Sequence, residues 1–86
     1  MPQRTVSVTS EVGLHARPAA TFVQTAAKAP YDVTIAKAGG SPVSAKSILS
    51  VLALDVRQGE SIVISAEGDG AEELLDELAQ IAAAAS

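Results

Sequence analysis

The hydrophobic period of this chain changes repeatedly along its 86 residues, and this change is the strongest constraint on its fold. Segments with an apolar residue at every second position, typical of half-buried strands, alternate with segments in which apolar residues recur every three or four positions, as in amphipathic helices. In chain order the pattern predicts β-α-β-β-α-β-α, without a linker or an internal repeat. We therefore expect one α+β domain over residues 1–86, an open-faced β-sandwich in which a four-stranded antiparallel sheet carries three helices on one face.

The predicted strands are bounded by residues that favour turns. Strand patterns occur at Arg4–Thr9, Tyr31–Lys37, a short segment around Pro42, and Ser61–Glu67. The two glycines at 39–40 predict a tight hairpin before the third strand. Because Pro42 has no N–H to donate, the third strand is expected at an edge of the sheet. The fourth strand has the strongest pattern and is expected to be central.

Three helices are predicted between these strands. The first runs from Ala16 to about Lys28, with Phe22 as its core anchor. Its apolar face is expected to contain Ala19, Phe22, Val23, Ala26 and Ala27, with Thr21, Gln24, Thr25 and Lys28 largely off that face. The second runs from Ser47 to about Leu54. The third follows Asp69, whose spacing to Glu72 is typical of a capping box.

The composition excludes several classes of site. There are no cysteines and one histidine, so we expect neither a disulfide nor a metal site. No nucleotide-binding loop occurs, and no cofactor is implied. No secretory signal opens the chain, and no apolar run approaches the roughly 20 residues that span a membrane. We therefore expect a cytoplasmic protein that is not inserted into a membrane, with a monomer as the default state.

The charge is divided along the chain. The net charge is −4, yet residues 1–57 hold all six Lys and Arg with only three acids, whereas residues 58–86 hold seven acids and no base. A small positive excess with almost no aromatic residues is a poor footprint for nucleic acid. The positive part is better suited to docking on acidic protein surfaces.

Chemically useful residues are concentrated at positions 13–20, Gly-Leu-His-Ala-Arg-Pro-Ala-Ala. Pro18 fits only the first turn of a helix, which places His15 at or beside the N-cap. The free N–H groups of Ala16 and Arg17, the helix dipole and the Arg17 guanidinium would all favour a phosphate there. Neutral imidazole can accept a phosphoryl group covalently, so His15 is the candidate nucleophile and Arg17 the candidate stabiliser of the phosphate.

The string Gly-Leu-His-Ala-Arg-Pro-Ala resembles the active-site signature of HPr, the histidine-containing phosphocarrier family of the bacterial phosphoenolpyruvate-dependent sugar phosphotransferase system. The resemblance covers essentially the whole chain. It implies a carrier rather than an enzyme, phosphorylated on Nδ1 of His15. It also implies the partners: enzyme I, charged from phosphoenolpyruvate, as the donor and sugar-specific enzyme IIA domains as the acceptors.

The segment Lys46-Ser47-Ile48-Leu49 resembles the regulatory-serine segment of that family. Ser47 is expected to cap the second helix, and the resemblance implies that an HPr kinase/phosphorylase acts on it. Family members with this serine often carry glycine three positions later, where this chain has Ser50, so recognition by such a kinase stays open. Ile48, Leu49 and Leu52 exceed what a short helix needs to cover a sheet, and we expect them to contact partners.

Three alternatives remain at the level of sequence. His15 and Arg17 could serve a small hydrolase or phosphatase acting on a phosphate ester without a partner protein. The domain could instead be a regulatory module that binds an anion without a covalent step. Within the family, a nitrogen-related or regulatory paralogue would share the histidine signature and differ in its partners. The sequence does not identify the sugars or the IIA domains.

Overall fold

The computed structural model describes residues 2–8 and 16–84, and its elements follow the predicted order β-α-β-β-α-β-α. The strands are β1 (Gln3–Ser7), β2 (Val33–Lys37), β3 (Val43–Ser44) and β4 (Ser61–Ala66). The helices are α1 (Ala16–Ala26), α2 (Ile48–Ala53) and α3 (Ala71–Ala84). The α+β class predicted from the sequence is confirmed.

The four strands form one antiparallel sheet in the order β1-β4-β2-β3. The central position predicted for β4 and the edge position predicted for β3 are both confirmed. Gly40 N–H donates to the Lys37 carbonyl at 2.8 Å, and Gly39 has a φ of +81°, which closes the predicted hairpin between β2 and β3. Pro42 immediately precedes the edge strand. Its missing N–H therefore removes no hydrogen bond from the centre of the sheet.

A single hydrophobic core lies between the sheet and the helices. Phe22 of α1 is fully buried, as predicted, and it packs with sheet residues such as Ile35 and Ile64 and with α3 residues such as Leu75 and Leu78. Burying side chains of this size gives about 1.5–3 kcal/mol each, and this is the main force that holds the helices on the sheet.

The buried side of α1 differs in two positions from the predicted face. Thr25 is buried and Ala27 is exposed, the reverse of the prediction. Helix α1 ends at Ala26, so Ala27 lies past the regular turn that would have carried it inward. Because α1 contacts both α2 and α3, its buried arc is wider than one amphipathic face and includes Thr25.

The start of α3 is not the predicted capping box. The helix begins at Ala71, and Leu74 N–H donates to the Gly70 carbonyl at 3.0 Å, which gives the N-cap position to Gly70 rather than Asp69. Glu72 Oε1 instead accepts from Arg4 Nη2 at 3.1 Å. Arg4 Nε also donates to Asp76 Oδ1 at 2.9 Å, so these two acids fasten β1 to α3. A tertiary partner has replaced the local capping contact.

The Tyr31 ring packs against the backbone at Gly68. Its Cγ, Cδ2 and Cε2 atoms occupy the space where a side chain at residue 68 would begin, and Gly68 has a φ of +156°. Gly70 also has a positive φ, +80°, but a Cβ there would meet nothing within 4 Å. A side chain would be strained by the backbone at both glycines, but it would clash with a neighbouring group only at residue 68.

We predict that Gly68→Ala destabilises the fold more than Gly70→Ala. Each substitution places a Cβ on a left-handed backbone, at a cost of about 1–2 kcal/mol. Only Gly68→Ala must also displace the Tyr31 ring, which adds about 1–3 kcal/mol. Urea unfolding of the two variants measures the difference. Equal losses of unfolding free energy would mean that the Tyr31 ring is not held at Gly68.

Candidate functional site

The predicted nucleophile, His15, belongs to residues 9–15, which lie outside the described part of the chain. The next residue, Ala16, is the first residue of α1. Pro18 is therefore the third residue of the helix, inside its first turn, where a proline leaves no helical hydrogen bond unmade. The position of the helix start that was predicted from Pro18 is confirmed.

Arg17 is the second residue of α1, and its side chain is exposed. Its carbonyl oxygen accepts from Thr21 Oγ1 at 3.3 Å, a contact internal to the helix. No ion pair joins its guanidinium to any carboxylate of residues 2–8 or 16–84. The N–H groups of a first helical turn have no intrahelical partner and carry partial positive charge. The positive end of α1 and a guanidinium without a carboxylate partner among the described residues thus follow directly after residue 15.

A turn at residues 57–60, which the sequence did not single out as functional, contacts Val8, the last described residue before segment 9–15. Gly59 N–H donates to the Val8 carbonyl at 2.8 Å, and Val8 N–H donates to the Glu60 carbonyl at 2.9 Å. The Glu60 carboxylate accepts from Arg57 N–H at 2.8 Å and pairs with Lys37 Nζ at 3.2 Å. Both chain neighbours of the segment, Val8 and α1, are therefore fixed to the domain.

The contacts of Glu60 make this turn sensitive to acid. The hydrogen bond from the Arg57 backbone N–H, and then that from Lys37, hold the pKa of Glu60 below its ordinary value of 4.5. Because the folded-state pKa is the lower one, the ionised carboxylate stabilises the folded state above pH 4.5. That contribution is lost as the pH falls through the folded-state pKa.

Ser47 caps α2 as predicted. Its backbone is extended, with φ −107° and ψ 113°, and its Oγ accepts from Ser50 N–H at 3.3 Å. This contact satisfies one of the N–H groups that the start of a helix leaves without a partner. Ser47 as a residue is half-buried.

The predicted apolar surplus of α2 is on the surface. Leu49 is 77% exposed, Leu52 39% and Ile48 36%, whereas Val51 is 1% exposed and belongs to the core. We call Ile48, Leu49 and Leu52 the α2 apolar surface. Exposed aliphatic side chains grouped on one short helix are a frequent feature of protein contact sites.

Lys46 positions the start of α2, a role that no periodic pattern could have indicated. Its Nζ donates to the Ala29 carbonyl at 2.7 Å, in a partly buried contact just beyond the end of α1. The neighbouring Ala45 N–H donates to the Val33 carbonyl at 2.8 Å. Lys46 therefore ties the Ser47 cap to the end of α1.

The structure separates the two predicted sites along α1. Arg17 lies in the first turn of the helix. Lys46, the residue before the Ser47 cap, donates from Nζ to the Ala29 carbonyl, past the other end of the helix. At 1.5 Å per residue, Arg17 and the end of α1 are about 14 Å apart. No hydrogen bond joins Arg17 to Ser47 among the described residues.

Two features are absent from residues 2–8 and 16–84. No helix there is long and apolar enough to cross a bilayer. In the same ranges, no three His, Asp or Glu side chains are grouped in a way that could hold a metal ion.

Comparison with known proteins places these features in a family. The family model described as "PTS HPr component phosphorylation site" matches residues 2–84. The phosphocarrier protein HPr of Streptomyces coelicolor is 49% identical over 83 residues, which cover 96% of this chain and 89% of that protein. The crystal structure of a phosphocarrier protein HPr from Bacillus anthracis matches with a TM-score of 0.85 at 43% identity, covering 94% of this chain and 95% of that one.

A crystal structure of an HPr dimer from Thermoanaerobacter tengcongensis also matches, with a TM-score of 0.67 at 44% identity, covering 91% of this chain and 88% of that one. The matches in sequence and in structure thus extend over nearly the whole chain. They agree on proteins named as carriers of phosphoryl groups rather than as enzymes. The chain therefore belongs to the HPr family, the phosphocarrier proteins of the phosphotransferase system.

Proposed function

We propose that this chain accepts a phosphoryl group from phosphorylated enzyme I on His15 and passes it to sugar-specific enzyme IIA domains during sugar uptake. The observation that carries the proposal is the family match, which is described as a phosphorylation site and spans residues 2–84. His15 is the only histidine of the chain. In each transfer a P–N bond forms at Nδ1 as the bond between phosphorus and the donor breaks, and the reverse occurs when the group leaves.

The start of α1 supplies electrostatic support for this chemistry. A phosphoryl group on His15 would add close to two negative charges beside the first-turn N–H groups of Ala16 and Arg17, which have no partner within the helix. The Arg17 guanidinium would offer two parallel donors to the phosphoryl oxygens. Because Arg17 is exposed and has no described carboxylate partner, it can approach an anion without first breaking an ion pair.

The α2 apolar surface is the proposed contact for enzyme I and the IIA domains. The three exposed side chains would supply the apolar centre of the contact, while the positive charge around Arg17 would attract acidic partner surfaces. We propose that the protein works in the cytoplasm as a monomer, because a dimer that covered α2 would block this contact.

We predict that enzyme I and phosphoenolpyruvate label this protein with one acid-labile, base-stable phosphoryl group, because phosphoramidates hydrolyse in acid. His15→Ala should take up none. The measurement is radiolabel retained after separate acid and base treatment. Label that persists in His15→Ala, or that survives acid in the native protein, would place the acceptor elsewhere.

Arg17→Ala should fold normally and transfer the phosphoryl group more slowly. Loss of a charge-assisted contact to the phosphoryl group in the transition state costs roughly 1.5–3 kcal/mol, on the order of ten- to a hundredfold in rate. Quenched-flow transfer from enzyme I measures the effect. Lys28→Ala removes the same charge from an exposed site beyond the other end of α1 and is the matched control. Equal rates for the two variants would remove Arg17 from the mechanism.

We also propose that phosphorylation of Ser47 by an HPr kinase/phosphorylase would regulate docking rather than folding. A phosphate there would lie at the start of α2, where the helix dipole favours negative charge. It would also lie next to Ile48, at the edge of the α2 apolar surface. An acidic partner surface would then meet a repelling charge at the rim of its contact.

Ser47→Asp should keep or raise the melting temperature, because aspartate is also a good N-cap. Transfer from enzyme I should become slower, most clearly at low salt, where charges are least screened. Ser41→Asp adds the same charge in the exposed turn before β3 and should have little effect. If a folded Ser47→Asp protein transferred at the native rate at low salt, the α2 apolar surface would not be the docking site.

A further inference from the structure

A groove lies at the opposite end of α1 from Arg17, between the residues that follow α1 and the first turns of α3. Its volume is about 450 Å³. Ala29, Pro30, Tyr31 and Leu74 supply its apolar lining. Three carboxylates, those of Asp69, Glu73 and Glu77, and one ammonium, that of Lys28, supply its charge.

The aromatic side of this groove is fixed in place. Tyr31 is the only tyrosine of the chain, and three of its ring carbons pack against the backbone at Gly68. The ring is half-buried and at the same time lines the groove. An aromatic ring held in place is thus part of the groove wall, and aromatic rings attract cations.

The two glutamates of the groove repeat an arrangement that already binds an arginine elsewhere on the same helix. Glu72 and Asp76, one helical turn apart, hold the Arg4 guanidinium at 3.1 and 2.9 Å. Glu73 and Glu77 have the same spacing, rotated by about 100° around the helix axis. They face the groove instead of β1. One carboxylate pair of α3 thus has its arginine, and the other has none among the described residues.

The charged groups of the groove form no ion pairs among the described residues. Lys28, Asp69, Glu73 and Glu77 form no ion pair with one another or with any other residue of the described ranges. Three carboxylates against one ammonium leave the groove negative. Lys28 reduces that charge without neutralising it, so the occupant with complementary charge is a cation.

We propose that this groove binds an arginine side chain of a partner protein. The guanidinium would donate to Glu73 and Glu77, as Arg4 does to Glu72 and Asp76, and would stack on the Tyr31 ring. The methylene stem would lie on Pro30 and Leu74. Arginine is favoured over lysine because its planar fork can reach two carboxylates and an aromatic face together. The site lies at the far end of α1 from Arg17, so its occupation and phosphoryl transfer are compatible.

The test is a titration of the labelled protein, followed by amide NMR shifts, with the capped peptide Ac-Ala-Arg-Arg-Ala-NH2. Saturable shifts should centre on Tyr31, Glu73 and Glu77, and the lysine peptide should bind more weakly. The peptide with citrulline in place of arginine should not bind, because it lacks the charge. Shifts spread over all the acidic residues without saturation would overturn the proposal, since they would show only attraction to a negative protein.

Variants distinguish binding at the groove from general attraction to the negative charge of the protein. Glu73→Gln/Glu77→Gln should weaken peptide binding by on the order of tenfold, whereas Asp32→Asn/Glu67→Gln, with the same change in net charge, should not. Tyr31→Leu should weaken it at constant charge, and Lys28→Gln should strengthen it. Equal weakening by the two double variants would contradict the proposal. Phosphoryl transfer by Glu73→Gln/Glu77→Gln should stay at the native rate, so this test and that of His15 can fail independently.

Discussion

Burial of one face of the sheet under the helices is the constraint on which the positions of all functional groups depend. Fully buried side chains from β2, β4, α1 and α3, including Ile35, Ile64, Phe22 and Leu78, fix the helices against the strands. Because these side chains are closely packed, α1 is held against sliding and rotation. Its start and its end therefore point to opposite ends of the domain, and each end has its own chemistry.

The two ends of α1 have different electrostatic character. In its first turn, Arg17 has no carboxylate partner within the described ranges. Beyond its end, the carboxylates of the groove outnumber its single ammonium. The end with Arg17 is the one that we propose for the phosphoryl group, and the acidic groove is the one that we propose for a cationic side chain.

Much of the fold could be predicted because the deciding features are local. Alternation identified β4, Pro42 identified the edge strand, and Pro18 identified the start of α1. The errors arose where a tertiary partner outweighed a local preference. Thr25 is buried because α1 is covered from two sides, and Glu72 binds Arg4 instead of capping α3. Neither the covering of α1 by two other helices nor the contact between Arg4 and Glu72 can be inferred from ten consecutive residues.

Some parts of the candidate site could be predicted from the sequence, and others could not. The consecutive residues around His15 and the capping preference of Ser47 are sequence signals, and the Ser47 cap is confirmed. The Lys46 contact and the turn held by Glu60 are not, because they join residues from separate elements. The groove also required the fold, since Tyr31 and Glu77 are 46 positions apart in the sequence and meet only when α1 and α3 pack.

In the proposed carrier, a phosphoryl group on His15 is held at the start of α1. The most direct measurement compares backbone amide shifts of the free protein and of the protein kept phosphorylated by enzyme I and phosphoenolpyruvate. We expect the largest downfield changes in α1 on the amides of Ala16 and Arg17, with smaller changes toward Ala26. Unchanged amides at Ala16 and Arg17 in a fully phosphorylated protein would contradict this expectation.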